Sequence, residues 1–243
     1  MKLRKMYEMN TTLVDGELLG DMPVLPLRNA VLYPGSLMPL SVGRPKSLTM
    51  FSQVEAGSVI IVVTQHDAGI EKPTEDEFFK VGTAARILEV YEDEDEILQV
   101  VVQGMERVVI TSITGSDPFF TAQVELSAVP NDFSVEVVAL SHSLSQLAND
   151  YIEMISKFPV SAFDLLNFAD SPLYLAYTVV NNLPITIKEK QELLEESEPS
   201  VVMRESLKYL NGQIEALKVS QRINTEVTGE LTKNQRDFFL RQQ

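Results

Sequence analysis

The sequence lacks several features typical of proteins from oxidising compartments or membranes. It contains no cysteine, so it can form no disulfide, thiol nucleophile or thiolate metal site. It has no apolar run near the roughly 20 residues that span a bilayer. Its basic N-terminus lacks the apolar region of a signal peptide. These absences favour a cytoplasmic protein, and we expect no contact with a membrane.

The common catalytic and cofactor-binding motifs are missing as well. None of the 11 glycines precedes a lysine, which excludes a GxxxxGK(S/T) phosphate loop, and neither G-x-G-x-x-G nor G-x-S-x-G occurs. His66 and His142 lie in no zinc motif, and we expect both to face solvent. Glu92–Glu96 (EDEDE) lacks the spacing of a calcium loop and is predicted to form a solvated hairpin tip. Ser–Lys pairs have no fixed spacing and stay open, but we predict no catalytic residue, metal or cofactor in this chain.

Charge is abundant and unevenly placed. The chain carries 35 acidic and 20 basic residues, a net charge of −15. Residues 204–243 have a small basic excess, so the negative charge lies in the rest of the chain. A surface of this sign repels phosphate backbones, which disfavours binding of nucleic acid.

Residues 22–130 have the pattern of a β-barrel with one helical insertion, after a lead-in over residues 1–21 that we expect to be flexible. Pro34-Gly35 is a type II turn pair, and Val59–Thr64 reads as a strand buried on both faces. Gly104 is predicted to separate two strands. The predicted strands are Val24–Arg28, Leu37–Val42, Val59–Thr64, Thr83–Tyr91, Ile97–Gln103, Arg107–Ile113 and Phe119–Val129. A short helix is predicted over Lys46–Ala56.

The apolar period changes to three and four residues after Pro130, which predicts a helical bundle over residues 131–198. The first helix is expected to end before Pro159. Four further helix starts have capping signals. These are Ser161 with Asp164, Ser171-Pro172, Thr186 with Glu189, and Pro199.

Residues 199–243 are predicted to form one long protruding helix. Its seam follows a 4-3-4-3 spacing through Met203, Leu207, Leu210, Ile214 and Leu217. Beyond Leu217 the apolar content thins, so the far half is not expected to pack on its own domain. The sequence ends in FFLRQQ, with three adjacent apolar residues and no stop signal after them, which suggests that more chain follows. We name Leu231, Phe238, Phe239 and Leu240 as candidate interaction residues, with packing against a further segment as an equally weighted alternative.

Four arginines of the β-region, Arg28, Arg44, Arg86 and Arg107, are predicted at strand ends. Because they form no basic cluster in the sequence, hydrogen bonding to carbonyls or carboxylates is favoured over ligand binding.

Six motifs carry a family resemblance. They are LPLRN…YPG…PLSVGRPKS (25–47), VTQHD (63–67), VGTAARI (81–87), VQGMER (102–107), KQELLE (190–195) and KNQRDFFLRQQ (233–243). In this order they resemble the amino-terminal region of Lon-type ATP-dependent proteases, although His66 replaces the lysine that is usual in that family.

The resemblance implies an α+β fold in which a PUA-like, mostly antiparallel barrel precedes a helical bundle. It implies a non-catalytic region that recognises unfolded or degron-bearing proteins and helps subunits assemble. The full family enzyme is a homohexameric serine protease with an AAA+ motor that uses ATP and magnesium and a Ser–Lys dyad, neither of which is matched here. A free-standing adaptor and an RNA-binding module stay as alternatives, the second disfavoured by the charge.

Overall fold

The computed structural model describes residues 13–14, 17–18, 20–92, 97–130, 132–155 and 171–241, with side chains from residue 20 to residue 223. Within these ranges the chain forms eight strands and five α-helices. The strands are β1 (Leu13–Val14), β2 (Glu17–Leu18), β3 (Met22–Leu27), β4 (Leu37–Val42), β5 (Val59–Thr64), β6 (Val81–Glu92), β7 (Leu98–Gly115) and β8 (Thr121–Leu126). The helices are α1 (Pro45–Phe51), α2 (Val135–Ile155), α3 (Pro172–Asn181), α4 (Ile187–Glu195) and α5 (Pro199–Arg241). The predicted α+β class is confirmed.

Six strands form a barrel in the order β4-β7-β6-β5-β3-β8, which closes because β8 also pairs with β7. All pairs are antiparallel except β3 with β5. The long strand β7 makes this closure possible. Its first part, Leu98–Gln103, pairs with β4, and its second part, Val108–Gly115, pairs with β8.

The sheet has a hydrophobic core on each face. Ile60 and Val62 of β5 point into one core, which β4 and α1 also line. Val59, Ile61 and Val63 point into the other, which contains residues of β8. The predicted burial of β5 on both faces is therefore confirmed: all six of its residues are buried.

Gly104 does not end a strand, so the predicted break there was wrong. It lies inside β7, where a β-bulge shifts the register between Ala84 and Ala85 of the opposite strand β6. A Cβ on Gly104 would lie 2.2 Å from the carbonyl oxygen of Tyr33. The glycine is thus required for the close approach of the loop that contains Tyr33.

The turn at Pro34-Gly35 is confirmed. Gly35 has φ +78°, and the N–H of Ser36 donates to the carbonyl of Tyr33 at 3.1 Å. The insertion helix α1 is shorter than predicted, since it ends at Phe51. Phe51, its last residue, and Val54, which lies beyond it in the predicted range, both pack in the barrel core.

The helical half packs around one core formed by α2, α3, α4 and the first part of α5. The predicted caps of α3 and α4 are confirmed: Ser171 Oγ accepts from the N–H of Tyr174, and Thr186 with Glu189 forms a capping box. Hydrogen bonds from Thr186 hold the pKa of Glu189 below its usual value. The pair Ser161 and Asp164 and the predicted helix end before Pro159 lie outside the described residues.

The segment before the barrel contains a short hairpin, because β1 pairs with β2. The lead-in over residues 1–21 is therefore not entirely irregular, and its expected flexibility stays a prediction. The bundle boundary at residue 198 also stays a prediction, although Val202, Met203 and Leu210 of α5 belong to the bundle core. The predicted hairpin tip was Glu92–Glu96. Glu92 is the last residue of β6, and residues 93–96 lie outside the described ranges.

Candidate functional site

Arg107 joins the barrel to the helical half. It lies in the middle of β7, not at a strand end as predicted, and only 5% of its surface is exposed. Its guanidinium donates to the carbonyls of Leu194, Glu195 and Glu196, at 3.1, 3.1 and 2.7 Å. The last turn of α4 leaves these carbonyls without helical partners, so a cation there satisfies them and complements the helix dipole.

The other donors of Arg107 hold the strand end that leads to the bundle. Its Nε donates to the carbonyl of Ser127 at 2.7 Å, and its Nη2 contacts the hydroxyls of Ser127 and Ser197. The expectation that this arginine has a structural role is confirmed.

Two buried tyrosines form a second contact between the halves. The rings of Tyr33 from the barrel and Tyr177 from α3 stack at 4.7 Å, and Tyr33 Oη donates to the carbonyl of Lys190 at 2.7 Å. Burial raises the pKa of Tyr33 well above its usual value, with Tyr177 and Tyr209 adding to the shift. Burial also raises the pKa of Tyr177 to about 12. Gln191 of α4 completes the junction through its Nε2, which donates to the carbonyl of Val81 at 2.9 Å.

Arg28 and Arg44 come together at an opening in the barrel, although they are 16 positions apart in the sequence. The opening lies between the end of β3 and β4 and encloses about 540 Å³. Arg44 Nη1 donates weakly to the carbonyl of Pro26, at 3.4 Å. Arg86, by contrast, lies within β6 and is exposed. No feature of the sequence predicts that two of the four arginines share a site.

The helix α5 leaves the bundle core as its seam predicts. Met203, Leu210 and Ile214 are buried, and Leu217 is half-buried. Two and six residues after Leu217, the side chains of Val219 and Ile223 are 45% and 52% exposed. Together with Glu215, Ala216 and Ser220 they line a shallow groove of about 470 Å³.

The helix α5 includes the four candidate interaction residues, but their side chains lie outside the described part of the chain. They are Leu231, Phe238, Phe239 and Leu240. Their role stays a prediction.

The two histidines are exposed, as predicted. His66 packs its ring against Phe79 at 4.0 Å. Among the described side chains, no group of three or more His, Asp or Glu could hold a metal ion. Within the same residues, no helix combines the length and the apolar character needed to cross a bilayer.

Comparison with known proteins identifies the family. The model of the ATP-dependent protease La (LON) substrate-binding domain matches residues 21–212. Lon protease of Anaeromyxobacter dehalogenans (strain 2CP-C) is 37% identical over 226 residues, which cover 91% of this chain and 27% of that protein. Lon protease 2 of Myxococcus xanthus is 36% identical over 224 residues, with the same two coverages. The chain thus spans about a quarter of the length of these relatives.

Solved structures share the fold. The N-terminal domain of Mycobacterium avium complex Lon protease matches with a TM-score of 0.60 at 20% identity, over 79% of this chain and 98% of that one. The Lon N-terminal domain protein from Xanthomonas campestris matches with a TM-score of 0.56 at 18% identity, over 78% and 98% of the two chains. Because the family model covers most of the sequence and the fold agrees, this chain belongs to the Lon substrate-binding domain family.

Proposed function

We propose that this chain recognises unfolded or degron-bearing proteins for an ATP-dependent serine protease that degrades misfolded and regulatory proteins. The observation that supports this most directly is the match to a substrate-binding domain along residues 21–212. The chain itself is non-catalytic in this proposal, and its role is to bind clients and to help subunits assemble into a homohexamer.

The chemistry belongs to the part of the parent enzyme that this chain does not span. There we place the Ser–Lys dyad and the ATPase that uses magnesium, in a cytoplasmic enzyme. Neither a membrane nor nucleic acid is a partner of this chain in the proposal. Its acidic charge, −15 overall, is consistent with that.

The exposed side of α5 is the surface we assign to unfolded clients or to a neighbouring subunit. Its side chains Val219 and Ile223 are apolar and about half exposed, on a helix that has already left the bundle core. Exposed apolar groups of this kind favour contact with other apolar chains because water is then released. Phe238 and Phe239 extend the same helix and are included as sequence-based candidates.

The proposal is tested with reduced, carboxamidomethylated α-lactalbumin as an unfolded probe and the native protein as its folded counterpart. Calorimetric titration of the 243-residue chain should show weak binding of the unfolded probe alone. Binding of both forms alike, binding of neither, or ATP turnover by the chain would contradict the proposal.

Variants locate the surface. The pair Val219→Ser and Ile223→Ser, and separately Phe238→Ala with Phe239→Ala, should weaken probe binding or self-association while the melting temperature stays nearly unchanged. Val135→Ser is the matched control, because Val135 is 88% exposed at the start of α2 and is not among the residues that line the groove of Val219 and Ile223. A variant pair that lowers the melting temperature as much as it lowers binding would assign those side chains to packing.

A further inference from the structure

The opening between β3 and β4 separates two strand edges. In the described part of the chain, β4 pairs only with β7, and Leu25–Leu27 of β3 pair only with β5. Each edge contains a proline, Pro26 or Pro39, which has no N–H to donate. A proline in each strand disfavours pairing with an added strand, so the side chains at the opening become the candidates for recognition.

Arg28 and Arg44 supply those side chains. Arg28 Nε and Arg44 Nη2 are buried, and neither has a hydrogen-bond partner among the described residues. A buried donor without an acceptor costs about 1–3 kcal/mol, and more when it is charged. Such donors are normally paired, so two at one opening indicate an acceptor that the described part of the chain does not provide.

The charges at the opening also indicate that the two arginines need an acceptor. The described residues that line the opening include both arginines but no aspartate or glutamate, although the chain has 35 acidic residues. Burial lowers the pKa of Arg44, and the positive charge of Arg28 lowers it further. Two repelling guanidinium groups with free donors are stabilised by an anion between them.

We infer that the opening between β3 and β4 binds a carboxylate of an extended polypeptide, held by the guanidinium groups of Arg28 and Arg44. The guanidinium fork matches the two oxygens of a carboxylate. The remaining lining includes the apolar side chains of Leu25, Leu40 and Val42, which suit a polypeptide better than a hydrated polyanion. This inference rests on the proposed function, since it takes the client to be an unfolded chain. The carboxylate is the C-terminus of the client or an acidic side chain within it.

Three acetylated peptides of one ten-residue sequence built from Gly, Ser, Val and Leu distinguish these sources by calorimetric titration. The first has a free C-terminus, the second a C-terminal amide, and the third an amide with one internal Glu. We expect the plain amide to bind at least tenfold more weakly than the better of the two carboxylate peptides. If the peptide with the free C-terminus binds most tightly, the site recognises the end of the chain. If the peptide with the internal Glu binds most tightly, the site recognises an acidic side chain. Equal affinities for all three would overturn the inference.

The double variant Arg28→Gln, Arg44→Gln should lose the tenfold preference, whereas Arg86→Gln should keep it. Arg86 is the matched control because it is an exposed arginine of the same barrel, so the charge change per substitution is the same. If the double variant and the Arg86→Gln variant both lose the preference, overall charge explains it, and the inference is overturned.

A measurement on the unmodified chain keeps the test valid if the double variant does not fold. The ¹H–¹⁵N signal of Arg28 Nε should shift on addition of a carboxylate peptide and not on addition of the amide. The absence of that difference would overturn the inference.

A chain that binds unfolded α-lactalbumin but does not discriminate the peptides refutes the carboxylate site alone. A chain that binds neither refutes the proposed function as well.

Discussion

The barrel and the helical half are stabilised in different ways. In the barrel, every central strand is covered on two faces, and partners such as β3 and β8 lie far apart in the sequence. In the helical half a single core is built from neighbouring helices, and α5 continues past it with apolar side chains exposed. The central barrel strands are thus enclosed on two sides, whereas α5 keeps exposed apolar side chains beyond the bundle core. The two halves meet through the hydrogen bonds of Arg107 and Gln191, through the stacked tyrosines, and through Val31, Val81 and Val129, which pack in the core of the helical half.

The largest effect is expected at the junction, from Arg107→Met. The variant loses all six hydrogen bonds of the guanidinium and leaves carbonyls of the α4 terminus unpaired. We expect the free energy of unfolding to fall by about 3–5 kcal/mol. Urea unfolding followed by circular dichroism measures it. Arg86→Met, an exposed neighbour on β6, should change stability by less than about 0.5 kcal/mol. Equal losses in the two variants would mean that Arg107 does not hold the halves together.

Glycine-to-alanine changes should have opposite signs in the two halves. In the barrel, Gly104→Ala places a Cβ 2.2 Å from the backbone oxygen of Tyr33, which cannot move aside without disturbing the loop. A loss of about 3 kcal/mol is expected. In α5, Gly212→Ala meets nothing within 4 Å and should add about 0.5–1 kcal/mol because alanine favours the helix. Thermal unfolding measures the melting temperatures of the two variants. Shifts in the same direction would contradict the predicted difference between the barrel and α5.

At neutral pH the smallest losses are expected from the stacked tyrosines, whose main effect appears at high pH. Tyrosine in the unfolded chain ionises near pH 10, whereas burial raises the pKa of Tyr177 to about 12 and that of Tyr33 well above its usual value. Above about pH 10 the unfolded state therefore loses protons that the folded state keeps. The contribution of each buried tyrosine to the free energy of unfolding is fully present below about pH 10. Above that pH the free energy of unfolding falls by about 1.4 kcal/mol per pH unit for each tyrosine.

Phenylalanine variants identify the source of this loss. Tyr33→Phe and Tyr177→Phe should each reduce the slope of stability against pH between about 10 and 12. At neutral pH, Tyr33→Phe should cost about 1 kcal/mol because its bond to the carbonyl of Lys190 is lost. Tyr177→Phe should cost nothing, since the hydroxyl of Tyr177 has no partner among the described residues. A double variant that loses stability with pH as steeply as the parent would refute the assignment.

Local signals in the sequence predicted local structure well. The turn at Pro34-Gly35, the strand Val59–Thr64 and the capping box of Thr186 with Glu189 depend on residues within a few positions of each other, and all three are confirmed. The seam of α5 is also a local repeat, and its burial up to Ile214 follows the prediction.

Contacts between distant residues could not be read in this way. Gly104 has the same sequence context as a turn glycine, and only the approach of Tyr33 explains it. Three of the four carbonyl partners of Arg107 lie 87 to 89 residues further along the chain. Arg28 and Arg44 meet because β3 and β4 face each other across the opening, which no spacing rule indicates. A cluster of cations can therefore exist in the fold without existing in the sequence.

The pairing of β3 with β8 also has a consequence for synthesis. Met22 pairs with Ala122, so the first barrel strand must wait for about a hundred further residues before the ring can close. At a translation rate of about 5–20 residues per second, this delay is about 5–20 s. Meanwhile the apolar strands β3 and β5 have no complete cover. The domain that is proposed to receive unfolded chains is thus itself, while it emerges from the ribosome, a chain of the kind it would bind.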